Sequence, residues 1–200
     1  MRHTRPLAYA LVLLLAACTA PPTRIEAPAI MPVAAWGGTP ADASRANRHT
    51  ITHITLHHMG ETWVAGRDPQ KYLRDLQNWS RNTKQWLDIP YHYVIDLEGR
   101  KYAARDIAYA GDTNTDYNPS GHALIEVVGN FEEVEPNQAQ LDAVVDMMVY
   151  LARTYQVPVE RIGAHKDHTS KTVCPGKNMY RYIENGWFRQ QVAKRLAAGT

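Results

Sequence analysis

Two hundred residues are enough for one domain with a real core. The 22 lysines and arginines stand against 20 aspartates and glutamates, a formal charge of +2. That balance excludes the basic footprint of a nucleic-acid binder and gives only weak attraction to anionic surfaces.

The chain opens on MRHTRPLAYALVLLLAACTAPP, with Arg2 and Arg5 ahead of an apolar run from Leu7 to Ala17. The run is too short to span a bilayer as a mature helix and suits an export signal. It ends in Leu15-Ala16-Ala17-Cys18, which resembles a bacterial lipobox; the alternative is an ordinary cleaved signal with an incidental cysteine. The lipobox reading makes residues 1–17 a lipoprotein signal and Cys18 the lipidated N-terminus. Several acyl chains, each buried CH₂ contributing roughly 0.8 kcal/mol, then form a membrane anchor. Thr19 in place of Asp, by resemblance to lipoproteins of two-membrane bacteria, implies the outer membrane, facing the periplasm. Cys174 is the only other cysteine. Unpaired in an exported protein, it is either a metal-bound thiolate or a buried inert thiol. Residues 18–34, rich in Pro and Ala, read as a tether, and residues 35–200 as one folded domain.

Within that domain HTITHITLHH, β-branched at Ile51, Thr52, Ile54 and Thr55, predicts a strand. Asp68-Pro69 predicts a helix start, a capping carboxylate followed by proline at the first helical position. Tyr72, Leu73, Leu76 and Trp79 follow at helical spacing. YHYVIDLEGRKYAAR predicts two short antiparallel strands about Glu98-Gly99. ALIEVVGNF is an apolar run with one carboxylate, the pattern of a central strand. After Pro136, Leu141, Val144, Val145, Met148, Leu151 and Tyr155 trace one helix face. VERIGAH predicts a short strand, and Phe188, Val192 and Leu196 a final helix. The sum is an α/β fold, a central mixed sheet flanked by helices.

The stretch IGAHKDHTSKTVCPGKNMY holds His165, Asp167, His168 and Cys174. An imidazole and a thiolate on a loop after a strand can reach one cation, and a catalytic zinc keeps three protein ligands with a fourth position open. The third ligand has a source in ITLHHMGE, at His57 or His58. Strand alternation turns these two to opposite faces, so only one can take part, and spacing does not choose between them.

From about Trp36 to Tyr180 the chain resembles the zinc-dependent N-acetylmuramoyl-L-alanine amidases, the superfamily of peptidoglycan recognition proteins and amidase-type phage lysozymes. AAWGGTP, ITLHHMGE, YHYVIDLEGRKYAARD, NPSGHALIEVVGNFEE and IGAHKDHTSKTVCPGK are similar to successive segments of that family. Each match is weak alone; all of them in order are specific. The resemblance implies Zn²⁺ held by His57, His165 and Cys174, with His58 facing away and His168 a loop histidine near the groove. It places Tyr91 beside the reacting water. Glu126 corresponds to a family carboxylate that takes a proton or orients a ligand; the rival reading is a buried Glu tied to an Arg or His. Thr172 is implied as a hydroxyl donor to a developing oxyanion, and Asp167 as a carboxylate that is structural or orients a ligating imidazole. The chain departs from the family at Tyr109-Ala110-Gly111, where His-Ala-Gly is usual, and at Leu124, where a small Gly is usual. Trp79 and Trp86 are either groove aromatics or, as more often at helical spacing, core. The implied activity is hydrolysis of the amide between N-acetylmuramic acid and L-alanine of the stem peptide, in a monomer acting on peptidoglycan or muropeptides. The alternatives are a non-catalytic peptidoglycan-binding protein on the same fold and a zinc peptidase cutting within the stem peptide.

Overall fold

The computed structural model describes residues 27–199. The stretch read as an export signal, with Cys18, lies outside the described residues. In chain order the elements are β1 (Ile30–Met31), β2 (His53–His58), α1 (Pro69–Asn82), β3 (Tyr93–Ile95), β4 (Lys101–Ala103), β5 (His122–Val127), α2 (Gln138–Thr154), β6 (Ile162–Ala164), α3 (Lys177–Glu184) and α4 (Trp187–Ala198). They build one mixed sheet in the order β1-β4-β3-β5-β2-β6. Only β3 and β4 pair antiparallel, about the Glu98-Gly99 turn; every other neighbour is parallel. The folded region reaches into the segment read as tether, since Ile30 and Met31 pair with Lys101 and Tyr102 at the sheet edge.

Local signals explain the helix starts. Asp68 caps α1 by accepting from the Gln70 N–H at 2.9 Å, with Pro69 next in line. Asn137 and Gln140 form a capping box at α2. Alternation along the strands then sorts side chains into two layers. Ile54 and Leu56 of β2, with Ile125 and Val127 of β5, pack under α2 and against Met179, Ile183, Phe188 and Val192 of α3 and α4. On the other face Val94 and Tyr102 pack with Tyr72 and Leu73 of α1. Fully burying each such aliphatic side chain contributes about 1.5–3 kcal/mol, so strand register is strongly fixed. That register places His57 opposite Glu126, on the α1 face. His58 falls on the α2 face.

Candidate metal centre

In open parallel sheets, ligands collect at the carboxyl ends of the strands. Here His57 lies at the end of β2, and His165 directly follows β6, its neighbour. The loop before α3 brings Cys174 to the same point. One donor atom from each of these three buried residues lies within 4.8 Å of the others. The two imidazole rings stand 4.7 Å apart, and Cys174 Sγ is 3.6 Å from His57 Nδ1. Each imidazole also meets a hydroxyl, His165 Nε2 at Thr115 Oγ1 (2.8 Å) and His57 Nε2 at the Tyr117 hydroxyl (3.4 Å). Such contacts fix ring orientation and tautomer. Burial holds the His57 imidazole well below its usual range, helped by His165, and lowers His165 to about 4. Burial pushes the Cys174 thiol up to about 12, against the pull of the His58 backbone N–H, which donates to Sγ at 3.4 Å. Two neutral imidazoles and a thiol with a ready N–H donor match the nitrogen and sulfur chemistry of a zinc site.

Above the cluster lies a cleft of about 220 Å³, lined by Tyr91, Asn114, Thr115 and Thr172 among others. It shares Met59, Trp86, Pro90, Tyr91 and Asn114 with a neighbouring groove of about 370 Å³. A larger cavity, about 560 Å³ beside Pro32, Tyr93 and Ile107, contains none of the cluster residues. Glu126 lines the neighbouring groove. Its Oε1 accepts from the Tyr72 hydroxyl at 2.8 Å, while Oε2 has no hydrogen-bond partner among the described residues. Burial raises this carboxyl to about 8, partly offset by the Tyr72 hydrogen bond. The Tyr91 ring is 5.1 Å from that of His57, and burial, then Glu126, hold its hydroxyl well above 10 and therefore neutral.

The sequence profile of the N-acetylmuramoyl-L-alanine amidases matches residues 47–177, more than half of the chain. The chain belongs to this amidase family. Peptidoglycan-recognition protein SD of Drosophila simulans is 28% identical over 179 residues, covering 86% of this chain and 92% of that protein. An N-acetylmuramoyl-L-alanine amidase of Sus scrofa is 26% identical over 181 residues, 85% of this chain but 29% of its own length. The fold is also that of human PGRP-IβC solved in complex with glycosamyl muramyl pentapeptide, at a TM-score of 0.68 and 22% identity over 78% of this chain and 95% of that one.

In this amidase-family domain the residues read from the sequence as ligands, His57, His165 and Cys174, converge; Tyr91 and Thr172 line the cleft over them, and Glu126 lines the adjoining groove. His58 faces away, its Nδ1 accepting from the Phe131 N–H at 3.3 Å and its ring stacked on Phe131. Thr172 Oγ1 accepts from the Cys174 N–H at 3.1 Å, so this hydroxyl also shapes the turn that presents the thiol. Asp167 makes no hydrogen bond to an imidazole among the described residues; its role is the structural one. Its Oδ2 accepts from the Ala164 N–H at 2.8 Å and its Oδ1 from the Tyr180 hydroxyl at 2.7 Å, so it fixes the backbone where β6 gives way to His165. Glu126 is tied to a tyrosine, not to an arginine or histidine. His168 joins His53, His122 and Tyr117 in a ring cluster beside the site. Trp79 is 42% exposed, meets Trp86 edge to face, and lines the groove with it, so neither is a core residue. Leu124 and Gly111 are a matched pair: a Cβ on Gly111 would sit 2.2 Å from Leu124 Cδ1. Sequence reasoning missed Thr115 and Tyr117, which lie in the aperiodic loop GDTNTDYNPSG, and read Tyr72 only as a helix-face residue.

Proposed function

We propose that this chain is a zinc-dependent N-acetylmuramoyl-L-alanine amidase, cleaving the amide between the lactyl group of N-acetylmuramic acid and the L-alanine that begins the stem peptide. The observation that carries the proposal is the convergence of three buried donors, His57, His165 and Cys174, at a cleft that shares its lining with a larger adjoining groove. The D. simulans relative is named for peptidoglycan recognition, the pig relative for the amidase reaction, and the human protein of like fold holds a muramyl pentapeptide. These names support a peptidoglycan or muropeptide ligand. The lipobox reading of Cys18 adds an outer-membrane anchor that would hold the domain facing the wall.

His57, His165 and Cys174 would hold the metal. Zinc, when bound, supplies Lewis acidity toward a carbonyl oxygen and brings the ionisation of a water toward roughly pH 7. The His58 N–H steadies the sulfur, and Thr115 and Tyr117 keep the imidazoles in place. Tyr91, neutral and beside His57, donates a hydrogen bond to the oxygen on which charge develops. Glu126 handles the proton: a carboxyl that ionises near neutrality both accepts and returns one. It takes the proton of the attacking water and delivers it to the departing L-alanine nitrogen.

Mass analysis of muropeptides digested by the purified domain tests this. Free stem peptides beginning with L-alanine, beside peptide-free glycan, are expected. Shortened peptides still attached to glycan would show a peptidase instead, and unchanged muropeptides a binding protein.

A further inference from the structure

Glu126 presents its two oxygens unequally. Oε1 takes the Tyr72 hydroxyl at 2.8 Å; Oε2 is buried and has no partner among the described residues. A buried carboxylate oxygen without a donor is costly, and its persistence in a groove-lining residue marks it as the reactive end. The direction of the bond to Oε1 follows from the inventory. The Tyr72 hydroxyl has no other hydrogen-bond partner among the described residues, so its proton points to Oε1.

The Tyr72 ring is held on two sides. Trp63 meets it edge to face at 5.5 Å, and the Arg67 guanidinium lies over the ring at 4.7 Å from its centre. Its backbone sits in the first turn of α1, with the Tyr72 N–H bonded to the Asp68 carbonyl at 3.0 Å. The hydroxyl is therefore aimed by a capped helix end and a stacked cation, neither of which belongs to the metal cluster.

We propose that Tyr72 is a positioning residue: by donating to Oε1 it fixes the Glu126 carboxyl plane and confines proton exchange to Oε2. This rests on the amidase reading above. With Oε1 committed, Oε2 takes a proton from water as the new C–O bond forms at the lactyl carbonyl. The same proton passes from Oε2 to the L-alanine nitrogen as the C–N bond breaks. The products are the muramoyl carboxylic acid and a free amine, and Glu126 returns to its starting ionisation. Without the Tyr72 hydroxyl either oxygen can carry the proton, and the productive orientation is one of several.

The experiment is a double-mutant cycle on the zinc-loaded full chain with a muropeptide substrate, using Tyr72→Phe, Glu126→Gln and the pair. Tyr72→Phe is expected to lower kcat by about 10- to 100-fold, the range for losing a hydrogen bond to a charged group, with KM and zinc content unchanged. In the Glu126→Gln background the same substitution is expected to cost nothing further, because its effect runs through Glu126. An equal loss in both backgrounds, an effect confined to KM, or no effect would overturn the proposal. Wild-type kcat in Glu126→Gln would instead overturn the proton role given to Glu126. A second reading needs no turnover. The infrared C=O stretch of protonated Glu126, identified by its loss in Glu126→Gln, is expected at higher frequency in Tyr72→Phe. An unmoved band would show that Tyr72 does not bond Oε1, whatever the protein hydrolyses.

Discussion

Replacing Glu126 by glutamine should change how stability depends on pH, in a direction the burial of this carboxyl dictates. In the fold Glu126 ionises near pH 8, against an ordinary value of 4.5, chiefly because burial penalises the charged form. Between those values the folded chain holds a proton that the unfolded chain has released. Its contribution is fully present below about pH 4.5 and is lost as pH rises through 8, at on the order of 1 kcal/mol per pH unit. His57 and His165 act in the opposite sense. Their lowered values contribute stability above the usual imidazole range that is lost as pH falls through it. The difference between wild type and Glu126→Gln cancels that background. Glutamine cannot ionise, and its oxygen can still accept from Tyr72, although its amide leaves a buried donor unmatched, a cost that does not vary with pH. Urea unfolding of the chelator-treated protein at intervals from pH 5 to pH 8 reads the difference. Glu126→Gln should gain on wild type by about 3 kcal/mol across that interval. A difference that stays flat would mean that Glu126 ionises in its ordinary range and is not the buried, desolvated acid described here.

His57→Ala should lose both zinc and hydrolysis, whereas His58→Ala should keep zinc, since the ring of His58 packs on Phe131 on the opposite face; elemental analysis of the two variants side by side decides, and metal lost only from His58→Ala would reverse the assignment. Cys18→Ala should move the full-length protein from the membrane to the soluble fraction, because the acyl attachment point is gone; retention in membranes after a high-salt wash would remove the lipobox reading.

The legible parts of the fold were those with a local cause. Asp68-Pro69 marked α1 because capping chemistry is written into the sequence, and the Glu98-Gly99 hairpin and the α2 face followed from turn residues and period. Alternation separated His57 from His58 without choosing between them; the choice came from family resemblance, and the register of β2 against β5 places His57 on the cluster side. The two-residue strand β1 was hidden because its pairing with β4 is long-range, while its neighbours Pro28 and Pro32 read as tether. Asp167 left two roles open, structural or orienting an imidazole, and only three-dimensional contacts choose: the carboxylate closes on the Ala164 N–H and the Tyr180 hydroxyl, the structural role. Thr115 and Tyr117 reach the imidazoles from fifty or more positions away through a loop without periodicity, and no local pattern signals such a contact.

Zinc titration of the metal-stripped protein, with muropeptide hydrolysis followed at each addition, tests the metal-dependent amidase most directly. Hydrolysis should be absent without metal, rise in proportion to added zinc and level off at about one equivalent, the capacity of a single three-ligand site, while Cys174→Ser stays inactive throughout. Full hydrolysis by the stripped protein, or an undiminished zinc response in Cys174→Ser, would contradict a catalytic centre built on His57, His165 and Cys174.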